Sequence, residues 1–298
     1  MSHVSHGNSR KIKKTTLLCL LLPGVVLYVF ITIIPLFTAL GYSFTNWMGG
    51  PQKKFIGFTN YLLLFKDDTF WISFKNNLII VALTILIQMS LAFILTVLFM
   101  SKAMRLKEFH RTVIFLPVVL SAVVVGFIWQ MIYSNDYGML NAVLKGIGLE
   151  RLILPWLDDP GYVIFSVAAP LIWQYLGVPL IIFMSAVQGI SKDIYEVCEL
   201  DGVTGFKKAI YITFPLIYDT IKVAIMLSIS SNMLVFSHIY ILTGGGPGTS
   251  SMVMAQYAYN TSFKSMQLGY GSSVAIGIFI LSFGLVILFK KLAEVRQQ

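Results

Sequence analysis

The chain has 298 residues, 57% of them hydrophobic and only 12% charged, with a mean hydropathy of +0.79. Soluble domains carry about 25% charged residues, so composition excludes an ordinary water-soluble fold. The net charge of +9 is scattered over short loops. That distribution argues for membrane topology and against a nucleic-acid surface.

Six apolar runs reach the ~20 residues needed to cross a bilayer: 15–40, 74–100, 112–133, 162–187, 218–242 and 270–289. They predict an all-α membrane protein, residues 1–298 forming one transmembrane domain. The first run follows a basic tail, residues 1–14, with Arg10, Lys11, Lys13 and Lys14. A signal peptide is a poor description, because the run is too long and no A-x-A site follows. No long N-terminal extension precedes it, which leads us to expect six spans and no additional outer domain. Residues 41–73 are rich in aromatic residues with scattered Asp and Lys, as suits a segment at the membrane–water interface.

The second and third runs are separated by Lys102, Arg105, Lys107 and Arg111. The third contains Gln130. Residues 133–161 are turn-rich and suit an outer loop with a short amphipathic helix near 138–148. The fourth run is the least uniform, with Pro170, Trp173, Gln174, Tyr175, Gly177 and Pro179. After the fifth, GGGPG stops the helix, and the segment 250–266 resumes a helical pattern. In the sixth run Gly277 and Gly284 share a face, which suits close packing against another subunit. With the N-terminus in the cytoplasm, 15 of the 22 basic residues fall on the inner side. The positive-inside rule then places both termini in the cytoplasm.

The stretch 190–215, ISKDIYEVCELDGVTGFKKAIYITFP, is polar and helical between two apolar runs. Ser191 is an expected N-cap and Asp193 a favourable charge at the helix start. The first helix should end near Leu200. Gly202 and Gly205 should interrupt the chain, a second helix should cover 206–212, and Pro215 should open the next span. Glu196 and Glu199 lie three apart on one face. Tyr195, Cys198, Val203 and Phe206 offer an apolar docking patch. A helix resting on lipid prefers Lys and Arg on its polar face. Here Asp193, Glu196, Glu199 and Asp201 face a single Lys192, which favours a basic protein surface instead.

This stretch resembles the cytoplasmic loop of permease subunits of binding-protein-dependent ABC importers, whose pattern is E-A-A, three residues, G, nine residues, I-x-L-P. The chain has Glu196-Val197-Cys198, then Gly202, then Ile212-Thr213-Phe214-Pro215. Both alanines and the leucine are replaced. The segments LLPGVVLYVFITIIPLFTALGYSFTNW, FIGFTNY with FWISFKNN, and IYILTGGGPGTSSMVMAQYAYNTSF are similar to the carbohydrate-type branch, so the likeness covers nearly all of 17–290.

The resemblance implies a type I importer permease of six helices in a bacterial inner membrane. Its partners would be a second permease, two ATP-binding subunits and an external solute-binding protein, besides membrane lipid and without nucleic acid. The chain would not be an enzyme and would hold no cofactor, ATP and Mg being bound by the partner ATPases. Coupling would fall to Glu196, Glu199, Asp201, Gly202 and Pro215 within the 190–215 loop. Polar groups at membrane depth usually face a cavity or another helix. Trp173, Gln174, Tyr175, Ser228, Ser231 and Asn232 are therefore candidates for a sugar path, being neutral hydrogen-bonding groups beside aromatic rings. The competing reading is that Ser and Asn join helices.

Nothing in the sequence forms a catalytic constellation. GGGPGTSS lacks a phosphate-binding lysine, and His3, His6, His110 and His238 make no metal pair. Cys19 and Cys198 suit buried free thiols. A secondary carrier or a membrane-embedded enzyme, either acting without an ATPase, is the alternative. A carrier would usually show charges within the spans, and an enzyme would need clustered carboxylates or histidines at one membrane face.

Overall fold

The protein's structure, a computed structural model, describes residues 14–101 and 104–295. The basic tail up to Lys13, together with Lys102, Arg296 and the histidines His3 and His6, lies outside the described residues. Helices make up the architecture, and among the described residues the only β pairing is an isolated bridge between Thr45 and Phe55.

Three helices are long and apolar enough to cross a membrane as single pieces: α1 (Leu18–Ser43), α3 (Asp68–Met100) and the last, α14, whose apolar stretch covers Leu268–Glu294. Between α1 and α3 lies the short α2 (Thr59–Phe65). Three bent pairs are long and apolar enough only when the two helices of each are taken together. They are α4 (Lys107–Val119) with α5 (Ala122–Tyr133) at 101°, α7 (Val163–Tyr175) with α8 (Gly177–Gln188) at 44°, and α10 (Gly205–Leu216) with α11 (Tyr218–Met233) at 73°. The loop helices are α6 (Met139–Gly146), α9 (Lys192–Leu200), α12 (Ser237–Leu242) and α13 (Met254–Tyr259).

The bends correct the expectation of uninterrupted third, fourth and fifth runs. The third breaks at Leu120, whose ψ of 145° is extended, and Ser121 restarts the helix by accepting the Val124 N–H at 3.3 Å. The fourth breaks because Pro179 has no N–H and its ring would clash with the carbonyl four residues back, that of Tyr175, the last residue of α7. The fifth ends at Met233 rather than Leu242, and α12 follows as a separate short helix. Pro215 does not open the next span. It sits in the last turn of α10, ahead of the bend at Ile217.

Buried apolar side chains form three clusters, one of which joins Ile80 of α3, Ile164, Val167 and Leu171 of α7 and Ile239 and Leu242 of α12, while the other two mark two ends of the bundle. At one end Phe93 and Phe99 of α3, Leu180 and Phe183 of α8, Ala209 of α10 and Ile217 pack together. At the other, Leu64, Phe70, Met233, Met254 and Val274 form a second cluster. Gly277 packs within the chain, where an added Cβ would lie 3.1 Å from Leu64 and 3.2 Å from Phe70. Gly284 meets nothing within 4 Å and remains available to another surface. Cys198 is buried, but Cys19 is exposed on α1.

The second cluster is reinforced by a polar knot. Asp67 caps α3 by accepting the Thr69 N–H at 2.9 Å and the Phe70 N–H at 3.2 Å. Its other oxygen accepts from the Tyr270 hydroxyl at 2.5 Å and from the Tyr257 hydroxyl. Partial burial pushes the Asp67 carboxyl up, but these four donors together outweigh it and hold the group below its ordinary 3.8. Burial, then the bond to Asp67, pushes the Tyr257 phenol up to about 12. The knot joins α3, α13 and α14 at one rim of the bundle.

Candidate functional site

The first candidate is the elbow formed by α9 and α10. Ser191 caps α9, its hydroxyl accepting the Asp193 N–H at 3.3 Å. Leu200 is the last helical residue and Gly202 turns the chain with φ +72°. Val203 N–H reaches back to the Cys198 carbonyl at 2.8 Å and Gly202 N–H to that of Glu199 at 3.2 Å. This pair of bonds is a Schellman ending, which needs a left-handed residue at the Gly202 position. Glycine reaches that conformation without strain.

The elbow is anchored on one face and open on the other. Ala209, Thr213 and Ile217, spaced four apart, are all buried against the bundle. The Tyr195 hydroxyl lies 3.5 Å from that of Thr213, and the Lys208 ammonium stands 5.3 Å over the Tyr195 ring. The docking patch expected to contain Tyr195 and Cys198 is therefore corrected, since both turn inward. Val197, Leu200, Phe206 and Tyr211 point outward instead, Leu200 being 87% exposed. Among the acidic residues, Glu199 is engaged by Lys208 at 3.3 Å, while Glu196 and Asp201 are exposed, as is Pro215. Val197 faces out and Cys198 in, so neither replacement crowds the turn at Gly202.

The second candidate is a cavity of about 510 Å³ bounded by α3, α5, α7, α8, α11 and the 234–238 segment. Tyr175, Ser228, Ser231 and Asn232 all line it, with Gln88 and Ser237, and no Asp, Glu, Lys or Arg does. Trp173 lies elsewhere, edge-on to Trp129 at 6.0 Å. Gln174 is fully buried beside the cavity, donating to the Leu120 carbonyl at 2.8 Å. Part of the wall also joins helices. The Asn232 amide donates to the Ser228 carbonyl at 2.8 Å and to the Thr84 hydroxyl at 3.3 Å.

Several participants escaped the sequence reading. Asn77 on α3 donates to the Asn232 carbonyl at 2.8 Å and accepts the Met254 N–H at 2.9 Å. Asn76 donates to the Ser250 and Met252 carbonyls at 2.9 and 2.8 Å. His238 is buried against Gln174. The available signal was position: each is a polar side chain inside or beside an apolar run.

Residues 88–292, which contain both candidates, match the family described as binding-protein-dependent transport system inner membrane component. The chain belongs to this family. It is a multi-pass permease component of the inner membrane, a transport subunit and not itself an enzyme. The permease is 33% identical over 273 residues to the probable ABC transporter permease protein YurN of Bacillus subtilis, covering 91% of this chain and 93% of that one. It is 29% identical to the diacetylchitobiose uptake system permease protein NgcF of Streptomyces coelicolor, over 85% and 75% of the two chains. It has the fold of a chain in the crystal structure of a bacterial ABC transporter involved in the import of the acidic polysaccharide alginate. That match has a TM-score of 0.81 at 22% identity, covering 95% of this permease and 96% of that chain.

Proposed function

We propose that this permease forms half of the translocation path of an ATP-driven importer for a sugar or oligosaccharide. The observation that carries the reading is continuity. The open elbow is packed through Ala209, Thr213 and Ile217 onto the bundle. Directly beyond Ile217, α11 becomes the wall that presents Ser228, Ser231 and Asn232 to an uncharged cavity. A push on the elbow is carried through the bend at Ile217 directly to the wall, the kind of two-state movement that alternating access requires.

In this reading the single domain 1–298 crosses the membrane six times, each bent pair counting once, with both termini and the 190–215 loop in the cytoplasm. Two ATP-binding subunits hold ATP and Mg, and the chain itself holds no cofactor. Glu196 and Asp201 offer charge to a basic groove on an ATPase, Glu199 and Pro215 shape the elbow, and Gly202 sets its turn. A second permease completes the path. Support for it comes from α1, whose most apolar stretch is not buried by the chain itself. A solute-binding protein delivers the sugar from outside. In its favour, the family is binding-protein-dependent and one solved relative of this fold was crystallised with an alginate-bound periplasmic protein.

A sugar suits the cavity because neutral donors and acceptors beside the Tyr175 ring match hydroxyls and pyranose faces, with no fixed charge for a carboxylate or phosphate. Named relatives include the permease NgcF of a diacetylchitobiose uptake system and the multiple sugar-binding transport system permease protein MsmF of Streptococcus mutans. The test is affinity purification from the native membrane followed by ATPase assay. Co-purification of a second permease and an ATPase, with turnover stimulated by a sugar-loaded binding protein, is the expected result. A lone chain without ATPase would overturn the proposal and return the carrier and enzyme alternatives.

A further inference from the structure

Most polar side chains of the cavity wall spend their hydrogen-bond donors on the protein. The Asn232 amide donates to the Ser228 carbonyl and hydroxyl and to the Thr84 hydroxyl. Ser228 donates to the Thr84 hydroxyl at 3.4 Å, and Ser231 to the Ser228 carbonyl at 3.1 Å. Pairing of this kind is what polar groups at membrane depth require. A buried wall residue left unpaired by its own chain therefore calls for a partner from elsewhere.

Gln88 is such a residue. It lines the cavity and is 4% exposed, yet no group among the described residues hydrogen-bonds to its carboxamide. Among those residues, the side-chain polar atoms that are both enclosed and unpaired are Ser73 Oγ, the two carboxamide atoms of Gln256 and Asn260 Oδ1. The Gln88 atoms are not sealed in with them, and the open space they meet is the cavity. Their aim has a backbone cause. Residues Thr84–Met89 form a π turn within α3. Such a turn takes up an extra residue and offsets the side chains beyond it, a distortion frequent at functional sites.

His238, also in the wall, keeps a second atom free. The Leu120 carbonyl can only accept, so Gln174 gives it the amide nitrogen, at 2.8 Å, and turns its oxygen to His238 Nε2, 2.5 Å away. Nε2 must then donate. No Asp or Glu lines the cavity to balance an imidazolium, so the ring carries that single proton and Nδ1 is a bare acceptor. Nδ1 has no partner among the described residues and, like the Gln88 carboxamide, is not an enclosed atom. The ring sits on a packed frame. Val167 and Leu171 of α7 pack with Ile239 and Leu242 of α12, and the His238 ring stands edge-on to that of Tyr175, centroids 5.9 Å apart.

We propose that Gln88 and His238 are the residues that bind the sugar in the cavity. The Gln88 carboxamide donates to one hydroxyl and accepts from another, and His238 Nδ1 accepts from a further one. The proposal rests on reading the cavity as the translocation path and names the groups within it that select the ligand. Acceptors that the protein leaves unanswered call for a ligand that donates. A neutral hydroxyl does so, whereas a carboxylate or phosphate would set its lone pairs against Nδ1.

The test is uptake into intact cells by the full complex, with radiolabelled lactose, maltose, chitobiose and raffinose as probes. Because Gln88 has no hydrogen bond among the described residues, Gln88→Leu should leave membrane abundance normal and the thermal midpoint of the purified complex unchanged or raised. Its uptake rate per membrane copy at saturating sugar should fall roughly tenfold. His238→Gln keeps a donor for Gln174 but withdraws the ring acceptor, and should fall similarly. His238→Asn, whose Oδ1 takes the position of Nδ1, should recover most of the rate. Parental uptake by Gln88→Leu would overturn the proposal, and so would a lowered midpoint or abundance in that variant, in favour of helix joining. A His238→Asn rate no better than that of His238→Gln would also overturn it. Accumulation of none of the four sugars by the parent would overturn the reading of the cavity as a sugar path, and the proposal with it.

Discussion

The elbow and the cavity wall meet the same requirement, a sharp turn between helices, by opposite means. At the elbow the solution is local. One glycine with φ +72° and two hydrogen bonds within six residues end α9, and water can solvate what remains. In the wall the solution is remote. The end of α11 is held by Asn77, 155 residues away in sequence, and the end of α4 by Gln174, 54 residues away. The difference reflects the two solvents. An exposed carbonyl at the elbow finds water, whereas one at membrane depth must find a side chain. Turns that face water can be built from backbone alone, and turns inside the bilayer need dedicated donors.

The comparison is most easily broken at Gly202. A β-branched residue there should be strained by ~1–2 kcal/mol in the left-handed region. Uptake by Gly202→Val should therefore be lost while its membrane level stays normal. Normal uptake in vesicles would show that the turn does not carry coupling. In the wall, Asn77→Leu removes the 2.8 Å side-chain donor from the Asn232 carbonyl, which keeps only backbone donors, and strands the Met254 N–H, a loss of ~1–3 kcal/mol for a buried group left unpaired. This variant should instead fail in assembly, seen as reduced abundance and a lowered thermal midpoint in detergent. Full abundance would mean that the break is solvated another way.

Asn232→Leu sharpens the contrast inside the wall, since Asn232 both lines the cavity and bonds to Thr84 and Ser228. Lower uptake with unchanged assembly assigns it to the path, and lost assembly assigns it to helix joining. Trp173→Ala should leave sugar affinity unchanged, because the ring lies outside the cavity. A raised half-saturation concentration in uptake would contradict that placement.

The smallest effect is expected from pH at the Asp67 knot. A lowered carboxyl stabilises the fold above its ordinary 3.8, and that contribution fades as pH falls through the depressed value. The raised Tyr257 phenol contributes below 10.0, and its share fades as pH rises through about 12. Thermal stability of Asp67→Asn relative to the parent should then hold one constant difference from about pH 5 to 9. A difference that varies within that range would point to another titrating group.

The legibility of the sequence follows the same division. Glu196, Gly202 and Pro215 could be recognised because a local turn leaves a local pattern. The first, second and sixth apolar runs, which the fold keeps as long helices, were legible because bilayer thickness sets their length. The breaks at Leu120 and Met233 were not, since nothing near them in sequence discloses a donor on another helix. Pro179 did carry a signal, and its steric conflict with Tyr175 places the bend. Tyr195 and Cys198 were assigned outward because helical periodicity separates two faces without saying which one the bundle covers. Ser228 and Asn232 could be placed on a wall, but their bonds to Thr84 could not.

One consequence concerns α1. Its most apolar stretch has no residue buried by the chain, and contact with the last helix builds along its second half, through the half-buried Ile33, Leu36 and Ala39, to Ser43, which is fully covered and bonds to the Tyr61 hydroxyl at 2.7 Å. As far as this chain's own fold is concerned, the helix has an address rather than a shape. Leucines, valines and isoleucines along its early turns should be interchangeable at no cost to the remaining bundle, whereas Ser43 should tolerate almost nothing. Selection on those early turns would then record a neighbouring subunit, or the lipid, and not the architecture of the subunit that encodes them.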